Sequence, residues 1–246
     1  MNHCSIKTIA LVTAGGYGNR MGQDVPKQFM TIDNKPVIIY TLQAFQYHSE
    51  IDAIVVVCLP GWNVILQAYA NQYNITKLRW IFDASDTNQH SIRNGIFGLK
   101  EKGCSDDDII LVHDGVRPLV SPDIISRNIL VCKQYGYAVT GLTCKEAIME
   151  LKNDTVHDID IPRERLVRTQ TPHTYRLGCL IEAHRRADEL GVSDTVASCT
   201  LMSLIGIKEQ HIVEGSEKNG LKLTRPQDVE LFKAMIHSEP EPWMKI

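Results

Sequence analysis

A ten-residue stretch near the start of the chain, Thr13-Ala14-Gly15-Gly16-Tyr17-Gly18-Asn19-Arg20-Met21-Gly22, is too rich in glycine to continue a strand. Glycine lets backbone N–H groups approach an anion closely, and a helix start beyond such a loop adds partial positive charge. On the glycines alone, a tight turn without a ligand is an equally simple reading. The spacing argues against two well-known nucleotide loops: Met21 stands where a dinucleotide fingerprint needs a third small residue, and no Gly-Lys-Ser/Thr closes the stretch as in a P-loop. Two cations follow closely, Arg20 and Lys27, and such a pair is suited to neutralising a triphosphate and its leaving pyrophosphate. Further on, His113-Asp114-Gly115-Val116-Arg117-Pro118 follows an apolar run. Asp114 could help hold a magnesium ion, which takes hard oxygen ligands together with substrate phosphates, or could orient a ribose or an acceptor.

These loops need a scaffold that delivers them to one place. Thr8 to Val12 is a short apolar, β-branched run leading into the glycines; Pro36 to Tyr47 carries apolar residues at helical spacing, and Ala53 to Leu59 reads as a buried strand. The alternation continues with a helix near Val64 to Tyr73, a strand near Arg79 to Phe82, a helix near His90 to Lys100 and a strand from Ile109 to His113. The pattern predicts an α/β fold, a Rossmann-like and mostly parallel sheet flanked by helices. Right-handed crossovers then bring the carboxyl ends of the strands, and both chemical loops, to one edge. After a helix near Asp123 to Tyr135, Ala138 to Thr143 and Ala147 to Leu151 read as strands of a protruding antiparallel β-arm, with a polar turn at Lys152-Asn153-Asp154-Thr155. Helices near Leu177 to Leu190 and Val196 to Ile205, strands near Gln210 to Val213 and Leu221 to Thr224, and a helix from Pro226 follow. We expect one domain over 1–246, with the arm at 138–163 inside it.

The chain has 246 residues, 43% of them hydrophobic, which is enough for one large core. A net charge of −3 gives no global attraction to nucleic acid or to an anionic membrane, so neither is expected as a partner and any phosphate binding must be local. Seven cysteines without a C-x-x-C pair read as reduced thiols, and nine histidines show no metal-ligand spacing. The polar start, with no apolar leader, predicts a cytoplasmic protein.

Taken together, Gly15-Gly16-x-Gly18-x-Arg20-Met21 and Pro26-Lys27-Gln28-Phe29 make the sequence resemble nucleotidyltransferases that join a nucleoside triphosphate to a sugar phosphate. More narrowly, it resembles the cytidylyltransferases acting on 2-C-methyl-D-erythritol 4-phosphate or D-ribitol 5-phosphate, whose Pro-Lys-Gln and His-Asp-x-x-Arg-Pro motifs it shares. The resemblance implies a glycosyltransferase-A-like fold, CTP as donor, Mg2+ as cofactor, a small phosphorylated polyol as acceptor and no protein nucleophile. It also implies roles: Arg20, Lys27 and Lys222 in catalysis; Ala14, Gly15, Gly16, Gly18, Asp86, Ser91, Asp114 and Gly115 at the nucleotide; Asp114, Arg117, Arg163 and Thr171 at the acceptor, with Asp114 at the metal. The arm is implied to reach across a homodimer, lending Arg163 to the partner's site. Two departures stand out. Ala84-Ser85 and Asn88 replace the family's glycine pair and arginine around Asp86, and Glu146-Ala147 stands where the methylerythritol enzymes carry Asp-Thr. Val116 and Asp160-Ile161-Pro162-Arg163 look closer to the ribitol branch, so D-ribitol 5-phosphate is the expected acceptor and methylerythritol phosphate the alternative. An inactive nucleotide-binding member of the fold and an NAD-dependent dehydrogenase are the rival readings; the intact cationic set weighs against the first and the missing third glycine against the second.

Overall fold

The computed structural model describes residues 6–18, 25–154 and 157–238. Its first half is built of crossovers: β1 (Thr8–Ala14), a small hairpin of β2 (Thr31–Ile32) and β3 (Lys35–Pro36), α1 (Val37–Gln46), β4 (Ala53–Cys58), α2 (Asn63–Gln72), β5 (Leu78–Asp83), α3 (Asn88–Glu101) and β6 (Ile109–Asp114). Then come α4 (Pro122–Tyr135), β7 (Tyr137–Thr143), β8 (Ile148–Leu151), β9 (His157–Ile161), β10 (Val167–Arg176), α5 (Leu177–Leu190), α6 (Ser198–Leu204), β11 (His211–Glu214), α7 (Glu217–Gly220) and α8 (Pro226–His237).

The main sheet has the order β11-β7-β10-β6-β1-β4-β5 among the described residues. Every neighbouring pair is parallel except those made by β10, which runs antiparallel to both β6 and β7. Strands buried on both faces are apolar at every position, and β4, Ala-Ile-Val-Val-Val-Cys, is buried throughout. Alternate side chains serve opposite layers. Ala10, Val12, Ile54 and Val56 pack with α1, α2 and α4, whereas Ile9, Leu11, Val55 and Val57 pack with α3, α5 and α6. Parallel registers pair Thr13 with Asp114 and Ala14 with Cys58, so the loops after β1, β4 and β6 leave the sheet at one level.

Three expectations need redrawing. Tyr137–Thr143 is a strand of the main sheet, so the separate hairpin is only β8 paired with β9. Leu221 to Thr224 is extended but forms no strand: Leu221 and Leu223 alternate into a small core with Ile32, Val37 and Phe232, and the backbone bond from Leu223 N–H to Val116 O makes no ladder. The N–H groups of Thr224 and Arg225 instead donate to Asp228 Oδ2 at 2.7 and 2.8 Å, which starts α8 rather than a ladder. Finally, β10 was not foreseen. Pro172 cannot donate to a ladder, and the strand accommodates it with a register shift between Thr169 and His173.

Candidate active site

The loop after β1 is held by close packing. A Cβ on Gly15 would lie 2.3 Å from Ala84 Cβ, so only glycine lets this loop touch the one after β5. Gly18 has φ +75°, and its bare Cα packs against the stem of Lys27, where a Cβ would stand 3.1 Å from Lys27 Cβ. The turn carrying Lys27 is fastened from beneath: buried Gln28 donates from Nε2 to Ala14 O at 2.8 Å, and Phe29 stacks on Trp62 with ring centroids 4.7 Å apart. Between these loops lies a cavity of about 230 Å³, lined among others by Gly15, Gly16, Lys27, Asp86, Asp114 and Lys222.

The far wall is the start of α3. Ser91 Oγ accepts from Ser85 N–H at 3.0 Å and donates to Thr87 O at 2.8 Å, fixing the loop in front of the helix. Thr87 caps that helix by accepting from His90 N–H. The exposed Asp86 carboxylate accepts from His90 Nδ1, Ser85 Oγ and Thr87 N–H, all at one oxygen, and these bonds, the His90 one foremost, hold its pKa below the ordinary value.

Asp114, at the end of β6, is the hinge of the arrangement. Its Oδ2 accepts from Arg117 Nε at 2.8 Å and pairs with Lys222 Nζ at 3.1 Å, while its own N–H donates to Thr171 Oγ1 at 3.2 Å. Burial pushes this carboxyl up, but the Lys222 ammonium and the Arg117 guanidinium outweigh it and hold the group well below the usual carboxylate range. Asp114 is therefore ionised at neutral pH and places two cations over the sheet edge. Below it, a second cavity of about 100 Å³ shares Asp114 and Lys222 with the first and adds Arg117, Thr171, His173 and Ser198. His113 Nε2 bonds Arg117 O at 3.0 Å, and burial pushes both His113 and His173 down to about 4, so both rings are neutral at pH 7.

The expected residues are mostly brought together. Ala14, Gly15, Gly16, Lys27, Asp86, Ser91, Asp114 and Lys222 line the first cavity, and Arg117 and Thr171 the second. Gly18 supports Lys27 rather than lining a wall, and Gly115 packs against Thr13 and Ile38. Arg20 lies outside the described residues. Arg163 sits past the hairpin on a helical turn, about half exposed, donating to Lys145 O at 2.7 Å and lining neither cavity. Sequence reasoning passed over Thr13, Asn88, Gln170, His173 and Ser198 as cavity residues. Thr13 directly precedes the glycines and His173 follows Thr171-Pro172, so position could have flagged both; Ser198 lies in a stretch whose periodicity speaks only of a core helix.

No group of three or more His, Cys, Asp or Glu side chains is arranged to hold a metal among the described residues. Magnesium, however, commonly takes one or two carboxylates and completes its shell with substrate phosphates and water. Asp114 and Asp86, both on the wall of the larger cavity, fit that mode and no all-protein cage. Among the described residues no helix is long and apolar enough to cross a membrane.

The sequence profile of the family described as IspD, 2-C-methyl-D-erythritol 4-phosphate cytidylyltransferase, matches residues 8–238. A relative from Lacticaseibacillus paracasei, named ribitol-5-phosphate cytidylyltransferase, is 38% identical over 232 residues, covering 94% of this chain and 98% of the relative. One from Clostridium botulinum, named 2-C-methyl-D-erythritol 4-phosphate cytidylyltransferase, is 34% identical over 231 residues, covering 94% and 97%. The solved 4-diphosphocytidyl-2C-methyl-D-erythritol synthase of Anaerococcus prevotii shares the fold with a TM-score of 0.80 at 20% identity, over 95% of this chain and 97% of that one. With a glycine loop beside Lys27, two cations paired on the largely buried Asp114 carboxylate and this match along nearly its whole length, the chain belongs to the IspD family of cytidylyltransferases.

Proposed function

We propose that the enzyme transfers CMP from CTP to D-ribitol 5-phosphate, releasing pyrophosphate. The observation that carries this reading is the meeting of two polar cavities at Asp114 and Lys222, one walled by the glycine loop and one by Arg117 and Thr171. A nucleoside triphosphate in the first and a phosphorylated polyol in the second would bring two anions together at that junction.

In this reading an acceptor phosphate oxygen attacks the α-phosphorus of CTP, a new P–O bond forms, and the bond to the bridging oxygen of the β-phosphate breaks. The protein supplies no nucleophile. Lys27, the N–H groups of Gly15 and Gly16, Arg20 and Lys222 neutralise charge that grows in the transition state, and Arg117 with Thr171 orients the acceptor. Asp114 positions Lys222 and Arg117 and, with Asp86, would hold a magnesium ion that neutralises the nucleotide phosphates when bound. The cysteines described are unpaired, which supports a reducing, cytosolic setting.

The straight-chain acceptor is supported by the name of the L. paracasei relative and by Glu146-Ala147, which offers a methyl group where the methylerythritol enzymes carry a hydroxyl. Pyrophosphate release with CTP should give a kcat/KM at least about tenfold higher for D-ribitol 5-phosphate than for 2-C-methyl-D-erythritol 4-phosphate, equivalent to about 1.4 kcal/mol of transition-state binding. The opposite preference by the same margin would reassign the acceptor.

Arg163 is about half exposed and lines neither cavity of its own copy, and we assign it to the site of a second copy in a homodimer. Mixing Arg163→Ala with Lys27→Ala subunits should then restore activity, because one site of each hybrid dimer regains both residues. No recovery after verified subunit exchange would return Arg163 to its own chain.

A further inference from the structure

The smaller cavity contains polar atoms that the protein itself leaves unsatisfied. Ser198 Oγ, His173 Nε2 and His113 Nδ1 are all buried without a hydrogen-bond partner, and all three residues line that cavity. Ser198 is 5% exposed and His173 2%. Folded proteins pair the large majority of buried side-chain polar atoms, so several orphans converging on one cavity beside Asp114 point to a ligand that supplies the missing bonds.

We propose that Ser198 and His173 are specificity residues for the acceptor, hydrogen-bonding hydroxyl groups of the polyol chain remote from its phosphate. The inference rests on the polyol phosphate reading above and adds what recognises the polyol. The chemistry of the orphans restricts the ligand. His173 already bonds the Gln170 backbone through its other ring nitrogen, so in the neutral tautomer its Nε2 offers a lone pair and needs a donor. A hydroxyl group supplies one. A carboxylate or carbonyl does not, and a methyl group placed here would leave the orphans buried and unpaired. D-Ribitol 5-phosphate carries one more free hydroxyl than methylerythritol phosphate and has no methyl branch, which is the difference such a cavity discriminates. Ser198, able to donate and accept, can meet a hydroxyl in either sense.

The test is steady-state kinetics of wild type, Ser198→Ala, His173→Leu and His173→Gln with CTP, using D-ribitol 5-phosphate and analogues lacking one hydroxyl at a time. Ser198→Ala should lower kcat/KM for D-ribitol 5-phosphate about 10- to 100-fold, leave the KM for CTP within about twofold, and keep or raise the melting temperature, since an unpaired buried hydroxyl is removed. The loss should vanish for the one analogue that lacks the hydroxyl Ser198 meets. His173→Gln, which keeps an acceptor atom, should recover part of what His173→Leu loses. If the variants turn over the acceptors but rank the deoxy analogues as wild type does, the orphans are met by water and the inference is overturned while the functional reading stands. A wild-type enzyme inert toward every polyol phosphate would overturn both.

Discussion

Replacing Lys27 with alanine is expected to lower kcat about 10²- to 10³-fold while leaving the melting temperature close to that of wild type. The size follows from the role: a preorganised cation aimed at charge that grows only in the transition state is typically worth that much when removed. The small effect on stability follows from how the turn is built. Gln28 fastens it to Ala14 O, Phe29 is buried and stacks on Trp62, and Phe29 N–H closes the turn onto Pro26 O at 2.8 Å, none of which uses the Lys27 side chain. Pyrophosphate release and a thermal melt on the same preparation check both halves. Near-normal turnover would remove Lys27 from the chemistry, whereas a collapse in melting temperature would show that its stem, packed on Gly18, is a structural element.

Asp114→Asn should damage activity and stability together, which separates it from Lys27→Ala. Its side chain is 16% exposed and that of Arg117 13%, so removing the charge leaves a largely buried guanidinium beside Lys222 without a counter-ion. Breaking a buried pair from one side costs about 3 kcal/mol, and the displaced cations should lower kcat/KM about 10²-fold or more. The pH dependence has a definite sign. Because the folded-state pKa is depressed, the contribution of Asp114 to stability is fully present above its unfolded value of about 4 and is lost only as pH falls toward the lower folded value. The gap in stability between wild type and Asp114→Asn should therefore persist through the neutral range and close only in strong acid. Adding Lys222→Met to the variant should restore part of the stability, by removing one uncompensated cation, and none of the activity. A single variant that melts with wild type at pH 7 would show that the cluster contributes nothing to the fold.

The half of the sheet that carries the glycine loop was legible because its signals are local. Thr8–Ala14, Ala53–Cys58 and Ile109–Asp114 are apolar runs bounded by loop residues, and doubly buried parallel strands have no other way to be written. The polar strand Val167–Arg176 was not, since a proline and eight residues able to hydrogen-bond through their side chains hide a ladder that only its neighbours β6 and β7 complete. The same contrast holds in the site. Lys27 and Asp114 stand inside recognisable motifs, whereas Ser198 reaches the cavity because α6 is laid against α5 beyond it, a contact between distant parts of the chain that leaves no local mark.

The place of β10 also constrains the order in which the enzyme can be made. β7 is bordered by β10 and β11, and both come after it in the chain, so when β7 leaves the ribosome it has nothing in the main sheet to pair with. The sheet β5-β4-β1-β6 can close by successive crossovers, but its β6 edge stays open until Val167–Arg176 arrives, several seconds later at a synthesis rate of about 5–20 residues per second. One nascent chain thus carries an unprotected edge strand through that interval, which is the kind of surface that invites edge-to-edge association. Thr171 and His173 lie on the strand that seals it. The strands behind the glycine-loop cavity are consequently laid down early, Thr171 and His173 reach the second cavity with the strand that covers the β6 edge, and Ser198 and Lys222 complete its lining only later.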